Sequence, residues 1–442
     1  MWRLVRHFHL QTAALSLYTC SMISPTLLLL FSCSSTPDDT PLEGPVDPAI
    51  LNSISASNMK IHVDILASDA MGGRIPGSPG HLASKDYILS EMEAVGLIPI
   101  GDEGFEYIYP NAPVGNRFML DENDEVQPQS TEWGYDLVGL VPGSDPELSD
   151  EYMVLMAHYD HLGVDENGDA FNGAFDNATA VAMGLELARV MIEEDAAPGR
   201  SVVFLFTDDE EYGLTGSREW IGASTVPQED VIFGVSADPL GRGILPDYKP
   251  IVLMGLDRSP ELRERWEEVA QFSEEPVVFV HRDAVPVFSS DQDPWYELED
   301  PIPAVWFTNP GMSFYHTIND DPITVDYHMM LASSRHLMEV LTDLGGDDQR
   351  YTFTGPGPKD GTMASDAGEL LKGVMGSEYL TGDERTQAQF LLDQMQVAID
   401  ANSVEALESW EGTFFAAAYF LLMELPVNHP GPVPPPWPED YE

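Results

Sequence analysis

Two short, wholly apolar runs lie on either side of a segment with helical spacing. The runs cover residues 153–157 and 202–206, and each ends abruptly in acids and histidine. Between them, apolar residues recur on one face of a helix at Val181, Leu185, Ala188 and Ile192. Strand, helix and strand in this order form a crossover unit, and continuously apolar strands are typical of parallel sheets that are covered on both faces. The pattern predicts an α/β fold with its working groups beyond the carboxyl ends of the strands.

Further apolar runs extend this pattern in both directions. Candidate strands cover residues 137–140, 232–237, 251–255, 277–280 and 304–308. Segments with helical spacing cover residues 81–96, 261–272, 326–344 and 388–423. Strands and helices that alternate in this way predict a layered α/β domain.

The two ends of the chain differ from its middle. Residues 1–33 begin with Arg3 and Arg6, continue as an apolar stretch and end at Cys33, which is typical of an export signal and resembles a bacterial lipoprotein signal with Cys33 as the lipidated residue. Residues 34–48 are polar and acidic, as a tether would be. Residues 49–345 contain the strands, and residues 346–442 form a C-terminal helical segment with a proline-rich tail. We therefore expect an exported protein, lipid-anchored at the outer membrane or periplasm, or otherwise secreted.

The composition of the chain excludes some classes of binding partner and one type of catalytic chemistry. The chain has 75 Asp and Glu against 20 Lys and Arg, a formal net charge of −55 over 442 residues. Such a surface repels nucleic acid and anionic membranes, so a lipid anchor is the only expected membrane contact. A charge of this size is typical of adaptation to salty surroundings, which screen self-repulsion. The two cysteines, Cys20 and Cys33, both precede the folded body, which excludes cysteine from the mechanism.

Histidines and carboxylates collect at the predicted strand ends. The candidate metal ligands are His158, Asp176, Glu211, Asp238 and His316. Imidazole with carboxylate and without thiolate suits zinc in a site that keeps an open position, and manganese or cobalt would also fit. One ion would not use five protein ligands and remain catalytic, whereas two ions would if one carboxylate bridges them. The sequence therefore predicts two metal ions that acidify a bridging water.

Two further acids have distinct expected roles. Glu210 and Glu211 are neighbours, so their side chains diverge; one can bind metal while the other takes the proton from the water and returns it to a leaving amine. Asp160 lies two positions after His158 and is placed to hold the far nitrogen of an imidazole.

Five motifs carry a resemblance to a known family. AHYDHLG (157–163), GAFDNA (173–178), DEEYGLTGS (209–217), DPLGR (238–242) and YHT (315–317) occur in this order. They resemble the signature segments of the di-zinc aminopeptidases, the secreted bacterial leucyl-aminopeptidase type that is related to glutamate carboxypeptidase. LASDAMGGRIPGSPG (66–80) resembles the opening segment of the same family. The likeness covers about residues 50–345.

The resemblance implies a fold and a role for each residue. The fold would be a three-layer α/β/α zinc-exopeptidase type with a mainly parallel mixed central sheet, and residues 49–345 would be the peptidase domain. Asp176 would bridge two Zn²⁺ ions beside a cis peptide to Asn177. The remaining roles are His158 and Asp238 on one zinc, Glu211 and His316 on the other, Glu210 as general base, Asp160 as orienting carboxylate and Tyr315 as a phenol that steadies the oxyanion.

The implied activity is that of an aminopeptidase acting on peptide substrates, with a water bridging the two zinc ions. A carboxypeptidase or a glutaminyl-cyclase-like enzyme on the same fold, or a non-catalytic binding module, are the alternatives. Carboxypeptidase relatives recognise a terminal carboxylate with arginines, and few lie near the motifs: Arg218, Arg242, Arg258 and Arg282. Gln292 replaces a histidine common in relatives. His161 and His281 are expected to have surface or packing roles.

Overall fold

The computed structural model describes residues 44–110, 133–285 and 289–429. The predicted export signal (1–33), most of the predicted tether (34–48) and the proline-rich tail lie outside the described residues. Packed structure begins inside the predicted tether, because Val46 is buried and the first helix starts at Pro48.

The described residues form one nine-stranded mixed sheet. Its strands are β1 (Ile98–Pro99), β2 (Glu106–Pro110), β3 (Trp133–Val141), β4 (Tyr152–His158), β5 (Ser201–Thr207), β6 (Val231–Ala237), β7 (Ile251–Met254), β8 (Val277–Val280) and β9 (Ala304–Thr308). The order across the sheet is β1-β3-β5-β4-β6-β9-β7-β8, and β2 also pairs with β3. The four central strands β5, β4, β6 and β9 run parallel, while β3 and β7 run antiparallel to their central neighbours.

Helices cover both faces of this sheet, which confirms the predicted three-layer α/β/α architecture. The helices of the described residues are α1 (Pro48–Ser53), α2 (Ala56–Leu66), α3 (Pro79–Val95), α4 (Thr179–Glu193), α5 (Thr215–Gly222), α6 (Pro260–Ala270), α7 (Tyr327–Gly346), α8 (Gly361–Met375), α9 (Gly382–Ala401), α10 (Trp410–Tyr419) and α11 (Leu425–Asn428). Residues of α2, α3, α4, α6 and α7 share one core with one face of the sheet. On the other face, α5 covers the β3–β6 half, where Trp220 packs with Val138, Val154 and Leu205.

The C-terminal helices form the rest of the second outer layer. Met363, Leu371 and Phe414 share a core with Val252 and Trp306, which lie on β7 and β9. Helices α8 and α10 are therefore packing partners for the sheet.

The predicted helix over residues 388–423 is wrong in its bounds. Helix α9 begins earlier, at Gly382, and ends at Ala401 because Asn402 adopts a left-handed conformation (φ 48°). Helix α10 starts afresh at Trp410, where the Ser409 side chain accepts a hydrogen bond from the Gly412 amide. In the described part of the chain, no helix is long and apolar enough to cross a membrane.

Candidate metal centre

Four neighbouring parallel strands end on the same side of the sheet, and each delivers a predicted site residue there. His158 is the last residue of β4, and Asp238 follows β6 directly. Glu210 and Glu211 follow β5 after two residues, and His316 lies in the loop after β9. Residues far apart in sequence meet because the carboxyl ends of parallel strands share one side of a sheet.

Asp176 comes from the loop between β4 and α4, and a buried acid holds that loop. The side chain of Asp320 accepts hydrogen bonds from the backbone amides of Phe175 (2.9 Å) and Asp176 (3.1 Å). The peptide bond from Asp176 to Asn177 is cis, as the resemblance implies. The Asn177 side-chain amide donates to the Ala237 carbonyl oxygen (2.9 Å), which ties the loop to the end of β6.

A first group of donor atoms joins His158, Asp176 and Asp238. Nε2 of His158 lies 3.0 Å from Oδ1 of Asp176 and 3.4 Å from Oδ1 of Asp238. All three residues are buried, and Nε2 of His158 makes no hydrogen bond with any described residue. An ion with bonds of about 2.0–2.2 Å separates its tetrahedral ligands by roughly 3.3–3.6 Å. The spacing and the missing hydrogen bond both suit three ligands around one ion.

A second group of donor atoms lies around Asp176 and Glu211, with His161 and His316 both beside these carboxylates. Nε2 of His316 lies 3.1 Å from Oδ2 of Asp176 and 3.1 Å from Oε1 of Glu211. Asp176 therefore presents Oδ1 to the first group and Oδ2 to the second. A carboxylate that bridges two ions needs this arrangement, so the donor set fits a pair of metal ions.

A third imidazole, His161, also lies in this centre. His161 is fully buried, and its Nδ1 lies 2.9 Å from Oε1 of Glu211 and 3.8 Å from Oδ2 of Asp176. Its ring stands edge-on to that of His316, with 5.8 Å between the centroids. The structure corrects the expectation of a surface or packing role. The available signal was its position in the loop after β4, three residues beyond His158.

Asp160 holds both a histidine and the turn that carries the two glutamates. Nδ1 of His158 lies 3.5 Å from Oδ1 of Asp160 and makes its hydrogen bond to the carbonyl oxygen of Asp160 (3.2 Å). The Asp160 carboxylate accepts hydrogen bonds from the backbone amides of Glu210 (3.1 Å) and Glu211 (3.3 Å). The hydrogen bond to the imidazole therefore involves the Asp160 backbone, whereas the carboxylate fixes the backbone of both glutamates.

The two glutamates experience opposite environments. Burial raises the pKa of the Glu210 carboxyl well above its ordinary value; His158 opposes this shift, and the negative charges of Asp238 and Glu211 add to it. Burial also acts to raise the pKa of Glu211, but the positive charge of His316 and hydrogen bonds from imidazoles outweigh it and lower that pKa to about 2. Glu211 is thus permanently ionised and can act as a metal ligand, whereas Glu210 is suited to proton exchange.

Tyr315 borders the same centre. Its ring stacks on that of His316 with 3.7 Å between the centroids. Burial raises the pKa of the phenol well above its ordinary value, and the negative charges of Asp176 and Glu211 raise it further. The hydroxyl therefore keeps its proton at neutral pH and can act as a hydrogen-bond donor.

A buried arginine that the sequence did not single out connects the loops of the site. The guanidinium of Arg74 donates to the carbonyl oxygens of Tyr159 (2.7 Å), Leu66 (2.8 Å), Asn172 (2.6 Å) and Gly173 (2.9 Å). Burial lowers its pKa to about 10, so the group stays charged at neutral pH. Arg74 therefore ties the 66–80 segment to the loops that carry Asp160 and Asp176.

The loop before β9 supports Asp238 from the other side. The Ser290 hydroxyl donates to Oδ2 of Asp238 (2.6 Å). Gln292 is fully buried, and its Nε2 donates to Oδ1 of Asp293 (3.0 Å). His281 is buried as expected of a packing role; its Nδ1 accepts a hydrogen bond from the Asp283 amide (3.1 Å).

Comparison with known proteins agrees with this geometry. Residues 136–341 match the model of peptidase family M28. The LapA aminopeptidase of Legionella pneumophila is similar in fold, with a TM-score of 0.51 at 18% identity over 68% of this chain and 75% of that one. LapB of the same organism gives 0.50 at 19% over 68% and 74%. A glutaminyl cyclase of Bacteroides thetaiotaomicron bound to N-acetylhistamine gives 0.50 at 17% over 65% and 98%. At these identities the structures establish the shared fold and leave the reaction open.

Proposed function

Residues 136–341 match peptidase family M28, and from this premise we propose that the chain is a two-zinc metallopeptidase of this family, an exopeptidase that hydrolyses the amino-terminal bond of peptides. The observation that carries the proposal is the Asp176 carboxylate, whose two oxygens face two separate imidazole–carboxylate groups. Manganese or cobalt would fit the same donors.

Five side chains would hold the ions. His158 and Asp238 would bind one ion, His316 and Glu211 the other, and Asp176 would contact both. Two ions bound there would acidify a water molecule and polarise the carbonyl of the scissile bond. The remaining steps depend on residues of the chain itself.

Glu210 is the proposed general base. It would take a proton from the attacking water and return it to the leaving amine. Its raised pKa supports this role, because a carboxylate whose pKa is raised by burial is a stronger proton acceptor. Its hydrogen-bonded backbone supports it as well, because the Asp160 contact fixes where the Glu210 side chain begins.

Tyr315 is the proposed donor to the oxygen that gains charge during attack. Its retained proton and its position against His316 support this role.

The arginines support action at the amino terminus. A carboxypeptidase needs guanidinium groups that receive the terminal carboxylate of the substrate. Arg258 and Arg282 follow β7 and β8, which run antiparallel to β9 and so end on the opposite side of the sheet from the metal centre. Arg242 is buried and donates from Nη1 to the Thr324 carbonyl oxygen (2.5 Å). Arg218 is exposed and pairs with Glu297.

The test combines substrates and metal content. We expect the purified protein to hold two zinc ions per chain by elemental analysis, and to release p-nitroaniline from aminoacyl p-nitroanilides with a free amino group. Treatment with 1,10-phenanthroline should abolish turnover, and added zinc should restore it. Release of residues from the carboxyl end of N-acetylated peptides would contradict the aminopeptidase proposal. Conversion of amino-terminal glutamine to pyroglutamate without hydrolysis would favour the cyclase alternative, and turnover insensitive to the chelator would exclude a metal mechanism.

A further inference from the structure

We propose that His161 is a positioning residue for the metal centre: its Nδ1–H donates to Oε1 of Glu211 and holds that carboxylate in place. This inference rests on the proposed function, because it concerns the ion that Glu211 and His316 would share. The family resemblance assigns no role to His161, and His161 is not one of the five proposed metal ligands.

The contact has the geometry of a hydrogen bond and differs from that of a ligand. Nδ1 of His161 lies 2.9 Å from Oε1 of Glu211 with hydrogen-bond geometry. Nε2 of His158 lies at nearly the same distance, 3.0 Å, from Oδ1 of Asp176 without forming a hydrogen bond. Ligand atoms direct their lone pairs at a common ion, whereas a donor directs its hydrogen at the acceptor. By this criterion His158 is a ligand and His161 is a donor to a ligand.

The distances from the two histidines to the Asp176 carboxylate support the same assignment. Nδ1 of His161 lies 3.8 Å from Oδ2 of Asp176, whereas Nε2 of His316 lies 3.1 Å from the same atom. His316 is therefore equally close to both carboxylates, whereas His161 is nearer to Glu211 than to Asp176.

The His161 ring is fixed from several sides. A Cβ on Gly173 would lie 2.6 Å from Cδ2 of His161, so the ring packs directly against the backbone of a glycine with φ 57°. The backbone amide of His161 donates to the Arg74 carbonyl oxygen (3.2 Å). His316 stands edge-on to the same ring, so contacts on both sides favour one orientation of Nδ1 before any ion binds.

A preset donor of this kind strengthens metal binding. A buried Glu211 without this hydrogen bond would have to lose rotational freedom when the ion binds, and its Oε1 would be less well satisfied. Partners that orient metal ligands typically change metal affinity by about 10–100-fold when they are removed.

Two polar substitutions separate this role from simple packing. Asparagine places its amide nitrogen close to the position of histidine Nδ1, whereas glutamine places it near Nε2. We expect His161→Asn to keep both zinc affinities within about 3-fold of wild type, and His161→Gln to weaken one of the two ions by about 10–100-fold with the other little changed. Zinc affinities are measured by competition with a chromophoric chelator, with His328→Asn, which alters an exposed histidine, as the control variant.

The outcomes distinguish the inference from the proposed function. Equal affinities for His161→Gln and wild type would overturn the inference, and so would a loss in His161→Asn as large as that in His316→Ala, since His161 would then be a ligand. Thermal unfolding of the metal-free variants checks that both fold. A wild-type chain that binds fewer than two ions would instead overturn the proposed function, whatever the His161 variants do.

Discussion

At the scale of single residues, adjacent positions acquire opposite chemistry from their partners. Glu210 and Glu211 share the hydrogen-bonded backbone that Asp160 provides, yet only Glu211 contacts imidazoles. The proposed distinction between base and ligand would therefore come from which strands end nearby, since the two side chains are chemically identical.

Substitution of Glu210 by glutamine tests this division. Glutamine keeps the shape of the side chain but cannot accept the proton, so we expect kcat to fall by about 10²–10⁴-fold. Zinc content should stay at the wild-type value, because the five donors are untouched. The matched control is Glu369→Gln, an exposed glutamate on α8 that pairs with Lys372. A variant that loses one zinc would show that Glu210 is a ligand.

A second prediction concerns His336, which is buried on helix α7. The Trp266 indole donates to Nε2 of His336 (3.1 Å), and burial lowers the pKa of the imidazole to about 3. The unfolded chain binds this proton at a pKa of about 6.5, so between pH 6.5 and 3 the unfolded state binds more protons. His336 should therefore remove up to about 1.4 kcal/mol of unfolding free energy per pH unit as the pH falls through this window.

Urea unfolding of wild type and His336→Gln between pH 7 and 4 isolates this contribution. Glutamine retains an acceptor for Trp266 but does not titrate, so other ionisable groups contribute equally to both chains. The wild type should lose stability relative to the variant as the pH falls. Parallel curves would show that the imidazole has the same pKa in the folded and unfolded states.

At the scale of elements, the central strands were predictable because burial on both faces leaves a continuous apolar run. The runs at 202–206, 232–237 and 304–308 match β5, β6 and β9 to within one residue at each end. The location of the site was predictable for the same reason, since an apolar run that stops at an acid marks the end of a buried strand. Parallel order then brings such ends together.

Elements at the rim of the sheet were not predictable in this way. Strand β2 (Glu106–Pro110) has an exposed or half-buried residue at every second position and, among the described strands, pairs with β3 alone. Residues whose function depends on distant partners were missed for a related reason. Arg74 has a role only because carbonyl oxygens from the end of α2 and from both ends of the connection between β4 and α4 converge on it, and Asp320 only because the amides of Phe175 and Asp176 face it.

The C-terminal layer yields a prediction at this scale. Leu371 on α8 is fully buried in the core that α8 shares with β7 and β9. Its replacement by alanine should cost about 2–5 kcal/mol of unfolding free energy. The neighbouring exposed Lys372→Ala should change it by less than about 0.5 kcal/mol. Because the layer shares its core with the sheet, tryptophan fluorescence and circular dichroism should report one common transition. Separate unfolding of the helices, with the metal centre intact, would contradict a shared core.

At the scale of the whole molecule, the large negative net charge affects the stability of the fold. A formal charge of −55 opposes compaction, and added salt screens charges separated by more than about 10 Å at 0.1 M and about 3 Å at 1 M. We expect the melting temperature of the zinc-loaded protein to rise between 0.05 and 1 M NaCl, and to rise equally in KCl because screening depends on ionic strength. A melting temperature that is flat or falls with salt would show that the acids are already compensated by local pairs.

The position of the protein in the cell is the remaining proposal at this scale. We propose that Cys33 carries a lipid that attaches the chain to a membrane, since the cysteine ends the predicted export signal and a polar stretch of sequence separates it from α1. Wild type should fractionate with membranes, and Cys33→Ser should appear in the soluble fraction. Because the metal centre uses residues between His158 and His316, the released variant should keep the wild-type turnover of aminoacyl substrates. Cys20→Ser removes the only other cysteine and should stay with the membranes; if Cys33→Ser also stays there, the signal anchors the chain by some means other than lipid on Cys33.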